Sequence, residues 1–133
     1  MAIAANQLET IAFSNRGTQI ADACFRAGIS RAYYAAYHHV LAYSSEQRPP
    51  FDASFRLSSP HERLPGWLKN QIKSRRFGDD LFVCKSLRHA ADYRDALSYT
   101  DPNGNASRNM GPFLPEHAYA MVSRMVAGII NEV

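Results

Sequence analysis

The sequence predicts an all-α protein, a single up-down bundle of about five helices, on three observations. Apolar residues recur at spacings of three, four and seven, no run alternates in the manner of a half-buried strand, and clusters of proline, glycine and asparagine separate the periodic segments. With 46% hydrophobic and 20% charged residues the composition is that of an ordinary globular chain, so one domain spanning 1–133 is expected. At this length folding buries upward of ~60% of the surface the unfolded chain exposes, enough to dispense with disulfide or metal staples.

The first helix is expected over residues 3–14, with Ile3, Leu8, Ile11 and Ala12 as its apolar side and Gly17 past its end. Thr18 is placed to cap a long second helix running from Gln19 to about Ser45, where Ile20, Cys24, Ala27, Tyr34 and Leu41 keep helical spacing. Gly28 falls inside it at a cost of ~1 kcal/mol, which implies either close packing of another helix there or a helix boundary at that point. Residues 46–58, with Pro49-Pro50, read as a loop. Ser59-Pro60-His61-Glu62 has the form of a capping box and starts a third helix, expected to be interrupted or kinked at Pro65-Gly66 and to continue through Trp67, Leu68 and Ile72 toward Lys73. Gly78-Asp79-Asp80 marks the start of a fourth helix, with Leu81, Cys84, Leu87 and Ala91 as its stripe and an end near Tyr99. Residues 101–112 are dense in turn formers and read as a loop; Pro115-Glu116 then opens the last helix, with Ala118, Val122, Met125 and Ile129 on one face.

Cys24 and Cys84 lie far apart and outside any Cys-x-x-Cys pair, so no zinc or redox motif is present and buried, reduced thiols are expected. No metal or other cofactor is expected, since Gly-rich phosphate loops, metal-ligand spacings and nucleophile elbows are all missing from the sequence. The N-terminal apolar run has no preceding positive charge, and no apolar stretch approaches the ~20 residues of a membrane span, so a cytoplasmic location is expected. Charge is uneven. Arg48 to Arg76 holds seven basic residues against Asp52 and Glu62, a local +5 in a chain of +3, so the remainder sums to −2. Lys73, Arg75 and Arg76 in this stretch are candidates for binding phosphate, as in RNA or a nucleotide; the competing reading is a solvated connection.

Two segments carry further information. Ser30-Arg31-Ala32-Tyr33-Tyr34-Ala35-Ala36-Tyr37-His38 lets helices approach at its alanines while tyrosine rings fill the flanks, and core or dimer packing is the leading reading of Tyr33, Tyr34 and Tyr37. Arg31 and His38, seven residues apart, share a helix face about 10 Å apart along the axis. The second segment is Leu87-Arg88-His89-Ala90-Ala91-Asp92-Tyr93, in which Arg88 and Asp92 stand at i, i+4 and are also readable as a plain intrahelical ion pair. Together the two segments resemble the paired signatures of the HEPN family, helical nucleotide-binding domains, and the order of the intervening loop, basic third helix and closing amphipathic helix agrees with that family along most of the chain.

The resemblance implies a nucleotide- or RNA-binding module, a homodimer with the fourth helix near the two-fold axis, and the possible company of a small nucleotidyltransferase in a toxin–antitoxin or defence setting. Arg88, Asp92, Tyr93, Arg31, His38 and Tyr34 are then the binding candidates. Many HEPN proteins are metal-independent ribonucleases in which an arginine, followed by four to six residues and a histidine, stabilises the transition state while the histidine moves protons. Arg88 matches the arginine, but the histidine slot is not filled on the same helix. His89 is adjacent to Arg88 and so leaves the helix about 100° away. Arg88 and His89 are therefore the catalytic candidates if the chain is an enzyme, with His38 brought in by the fold as another; a helical adaptor is the third reading.

Overall fold

A wide band of small and aromatic residues on one long helix positions everything else. The computed structural model describes residues 2–14, 19–47, 51, 60–71, 75–93, 98–100, 107–109 and 113–133. It contains α1 (Ala2–Ser14), α2 (Gln19–Ser45), α3 (Pro60–Lys69), α4 (Arg75–Tyr93), β1 (Ser98–Thr100), β2 (Ser107–Asn109) and α5 (Pro115–Glu132). The architecture is an all-α helical bundle with one short ribbon attached.

α2 extends ~40 Å and packs against each of the other four helices, while α3 lies chiefly on α4, and α4 on α5 as well. Its buried residues are Ala21, Phe25, Gly28, Ile29, Ala32, Tyr33, Ala36, Tyr37, Val40 and Ser44. This differs from the stripe expected from sequence: Ile20 is exposed, and Cys24, Ala27, Tyr34 and Leu41 lie at the half-buried margin. Neighbours on several sides widen the buried band, and alanine and glycine, weak hydrophobic signals in a sequence, supply four of its ten residues. The packing inferred at Gly28 is present, since a Cβ there would lie 2.8 Å from the ring of Tyr119 on α5. In α1, Ala12 is fully buried but Ile11 is exposed; the helix packs chiefly on α2, and Tyr119 of α5 donates to its Glu9 at 2.9 Å.

The third helix runs through Pro65 without the expected break and closes at Lys69, with Asn70 and Gln71 bonded back to Trp67 and Leu68. Pro65 removes one backbone donor, and burial of Leu64, Pro65 and Leu68 against α4 outweighs that loss. Ser59, Ile72 and Lys73 lie outside the described residues. The crossing of α3 and α4 is close: at Gly78 a Cβ would stand 2.6 Å from both the Pro65 carbonyl oxygen and the Lys69 amide nitrogen. α4 begins three residues before Gly78, so Asp79 and Asp80 sit inside the helix rather than at its N-terminus, and Asp79 pairs with Lys69 at 3.6 Å. Its stripe of Leu81, Cys84, Leu87 and Ala91 is buried as expected. Cys84 packs 3.9 Å from the Met125 sulfur, and burial pushes its thiol up to about 12.

α4 is described to Tyr93, and Tyr99, expected at the helix end, lies in β1 instead. Arg26 of α2 donates from Nη1 to the carbonyls of Ala90 and Ala91, near the end of the described helix, at 3.2 and 3.1 Å. Beyond it, Ser98–Thr100 pairs antiparallel with Ser107–Asn109, Tyr99 standing opposite Arg108. The sequence reading gave helix to Tyr99, loop over 107–109 and no strand; three-residue strands are too short to show alternation. The final helix opens at Pro115 after the extended residue Leu114 and buries Ala118, Val122 and Ile129 as expected, with Met125 half-buried.

Candidate functional site

Tyr33 and Tyr37 stand one turn apart on α2, and both rings turn toward the start of α3, where His61 is the second residue. The His61 ring stacks on Tyr37 with centroids 3.9 Å apart and planes 14° off parallel, and it meets Tyr34 edge-on at 5.7 Å. Tyr33 Oη lies 2.8 Å from His61 Nδ1. His38 continues the aromatic surface, 6.3 Å from Tyr34 and 5.2 Å from Tyr37. From α4, the Arg88 guanidinium lies over Tyr33 and Tyr34 at 5.4 and 5.5 Å from their ring centres. Three helices thus build one cationic and aromatic cluster, with Tyr33 and Tyr37 buried, Tyr34, His61 and Arg88 half-buried, and His38 exposed.

The protonation states follow from burial. Desolvation raises the Tyr33 hydroxyl far above the ordinary tyrosine range, with Arg88 opposing, so it stays neutral. Burial, then Arg88, Lys85 and His38, holds His61 below its ordinary value, which favours a neutral imidazole at pH 7. In the tautomer whose Nδ1 accepts from the Tyr33 hydroxyl the ring proton sits on Nε2, and in the other tautomer Nδ1–H donates to Tyr33; Nε2 makes no hydrogen bond among the described residues. Arg88 Nη1 donates to Asp92 at 3.2 Å, whereas its Nε is buried without a partner. The arrangement offers aromatic faces to a base and a guanidinium to a phosphate.

The structure brings together four of the sequence candidates, Tyr34, His38, Arg88 and Asp92, while Lys73 lies outside the described residues. His89 is exposed, its ring 4.6 Å from that of Tyr93 and tilted by 43°, on a different side of α4 from Arg88 because consecutive helical residues diverge. Tyr93 is 61% exposed at the end of α4. Arg31 is exposed on α2 and pairs with no carboxylate among the described residues. Arg75 and Arg76 are exposed at the opposite end of α4, ~20 Å along the axis from Arg88, and Arg76 rests over Phe77 at 4.7 Å.

His61, Tyr33, Tyr37 and Lys85 were missed as site residues by the sequence reading. The helical phase that joins Tyr33 to Tyr37 and Lys85 to Arg88 was available in the sequence, but the contact of Tyr33 with His61 crosses 28 residues and depends on how α3 docks. A separate cleft of about 540 Å³ between α1 and α5 is lined by Glu9, Phe13, Glu116, His117, Tyr119, Ala120 and Ser123. Its two carboxylates disfavour an anionic ligand. Among the described residues no group of side chains is placed to hold a metal ion, and no helix is long and apolar enough to cross a membrane. The chain matches no protein-family model, no curated protein and no solved structure.

Proposed function

We propose that this chain is a HEPN-like nucleotide- or RNA-binding module, working as a homodimer, in which Arg88 takes a phosphate and Tyr34 and His38 receive a base. One observation carries the reading: a half-buried guanidinium lies across two tyrosine rings with only one of its nitrogens hydrogen-bonded, beside an aromatic surface that reaches solvent at His38. Exposed aromatic faces and an arginine give sequence-tolerant contacts to unpaired nucleotides. Fluorescence anisotropy with a labelled single-stranded RNA tests it. Arg88→Gln is expected to weaken binding ~10- to 100-fold, the worth of a charge-assisted hydrogen bond, and to flatten the salt dependence. Equal binding by the variant removes the reading. The dimer belongs to the same proposal, with the exposed end of α4 at His89 and Tyr93 near the two-fold axis; sedimentation as a monomer at tens of micromolar counts against it. A small nucleotidyltransferase is the protein partner that fits this reading.

A second reading, metal-independent cleavage of RNA, is favoured by the neutral His61 beside Arg88, since a proton-transferring group and a phosphate-stabilising group then share one site. Incubation with total RNA in the presence of chelator separates the two. Robust cleavage lost in both Arg88→Ala and His61→Ala moves the assignment to a ribonuclease; intact RNA keeps it at binding.

A further inference from the structure

Lys85 precedes Arg88 by three residues on α4, so both leave the same face of the helix. It is half-buried and in no ion pair among the described residues, and its ammonium is held below the ordinary lysine range by burial, with Arg88 adding to the effect and Glu62 opposing it. A partly desolvated cation without a close counter-ion is costly, and neighbours of the same sign raise the cost. Arg88 is only partly neutralised: Asp92 engages one nitrogen, and Nη2 makes no hydrogen bond among the described residues. On α3, His61 Nε2 likewise makes no hydrogen bond among the described residues. Lys85 Nζ, Arg88 Nη2 and, in the tautomer that accepts from Tyr33, His61 Nε2 are thus three donors from two helices beside one aromatic surface.

An internal phosphodiester carries a single negative charge and two free oxygens, a load that Arg88 satisfies alone. A terminal phosphate carries about −1.5 to −2 at neutral pH and three free oxygens. Two cations and a third donor match that load. We infer that the Arg88 site recognises a terminal phosphate, the phosphomonoester of a free nucleotide or of an RNA strand end, in preference to the internal phosphates of a strand. The inference rests on the proposed binding function and deepens it: Lys85 and His61 set the selectivity, and Arg88 supplies affinity for any phosphate.

Calorimetric titration of the full chain with one short single-stranded RNA carrying a 5′-phosphate, a 3′-phosphate or neither, and separately with adenosine 5′-monophosphate and adenosine, tests it. At least ten-fold tighter binding of a phosphorylated form over its unphosphorylated counterpart is expected. Selectivity should fall toward unity in Lys85→Gln, a half-exposed substitution whose folding is checked by circular dichroism, and in His61→Gln. Preference for a phosphorylated strand identifies a strand end as the source, and preference for the monophosphate over adenosine identifies a free nucleotide. Equal binding of all strands through Arg88, with no gain for the monophosphate, overturns the inference and leaves the binding function standing. Selectivity unchanged in both variants also overturns it, and binding of none of these ligands removes both.

Discussion

Alanine at position 78 is the substitution whose sign follows most directly from the packing. Its Cβ would lie 2.6 Å from the Pro65 carbonyl oxygen, 2.6 Å from the Lys69 amide nitrogen and 2.8 Å from Lys69 Cα. All three are backbone atoms of α3, so no side chain can turn aside and the helices must separate by roughly 0.5–1 Å to restore ordinary contact. That opens the seam occupied by Leu64, Leu68 and Leu81, each 0% exposed. Overpacking of a core costs typically 1–3 kcal/mol, and a backbone clash belongs at the upper end; the better helix propensity of alanine returns about 1 kcal/mol. The net expectation is a loss of about 2 kcal/mol. Gly66 supplies the control, being exposed in α3 with nothing within 4 Å of an added Cβ, so Gly66→Ala should gain up to about 1 kcal/mol. Urea unfolding followed by far-ultraviolet circular dichroism measures both against the parent chain. A Gly78→Ala variant as stable as the parent would refute the packing argument.

Arg26 is expected to anchor the end of α4: Arg26→Met removes the bonds to Ala90, Ala91 and Asp22, costs about 2 kcal/mol, and speeds amide exchange in the last turn of α4, while unchanged exchange there would contradict the capping role. Tyr33→Phe should cost about 1 kcal/mol and shift the His61 titration measured by NMR, because it deletes the hydrogen bond on Nδ1; an unmoved titration means that the bond does not act on His61. Stability should fall with acidification below pH 6.5, the ordinary histidine value: His61 is held lower when folded, so the unfolded chain takes the proton first, and the contribution present above 6.5 is lost as pH falls to the folded value. His61→Gln should flatten that part of the thermal-melt profile, and an unaltered slope would assign the acid sensitivity elsewhere.

Helix identity was legible in the sequence wherever large apolar residues carried the period, as at Leu81, Cys84 and Leu87 or at Val122 and Ile129. It was misread where alanine and glycine carry the buried face, so the α2 stripe came out rotated toward Ile20 and Cys24. Contacts made by distant residues were not legible: Arg26, more than sixty positions earlier, bonds the Ala90 and Ala91 carbonyls of α4. The same division holds at the site. The Arg88–Asp92 pair is local, and its reading as an i, i+4 ion pair agrees with the 3.2 Å contact. His61 joins them only through the docking of α3 on α2 and α4, whereas the divergence of His89 from Arg88 around the helix was legible from their adjacency in sequence.

Chemical-shift mapping of the isotopically labelled chain, titrated with short single-stranded RNA, bears most directly on the assignment of the Arg88 cluster as the binding site. The account predicts the largest shifts at Tyr34, His38, His61, Lys85 and Arg88, saturating together and absent in Arg88→Gln. Shifts confined to Arg75 and Arg76, or spread along the α1–α5 cleft with the Arg88 cluster unmoved, would contradict it.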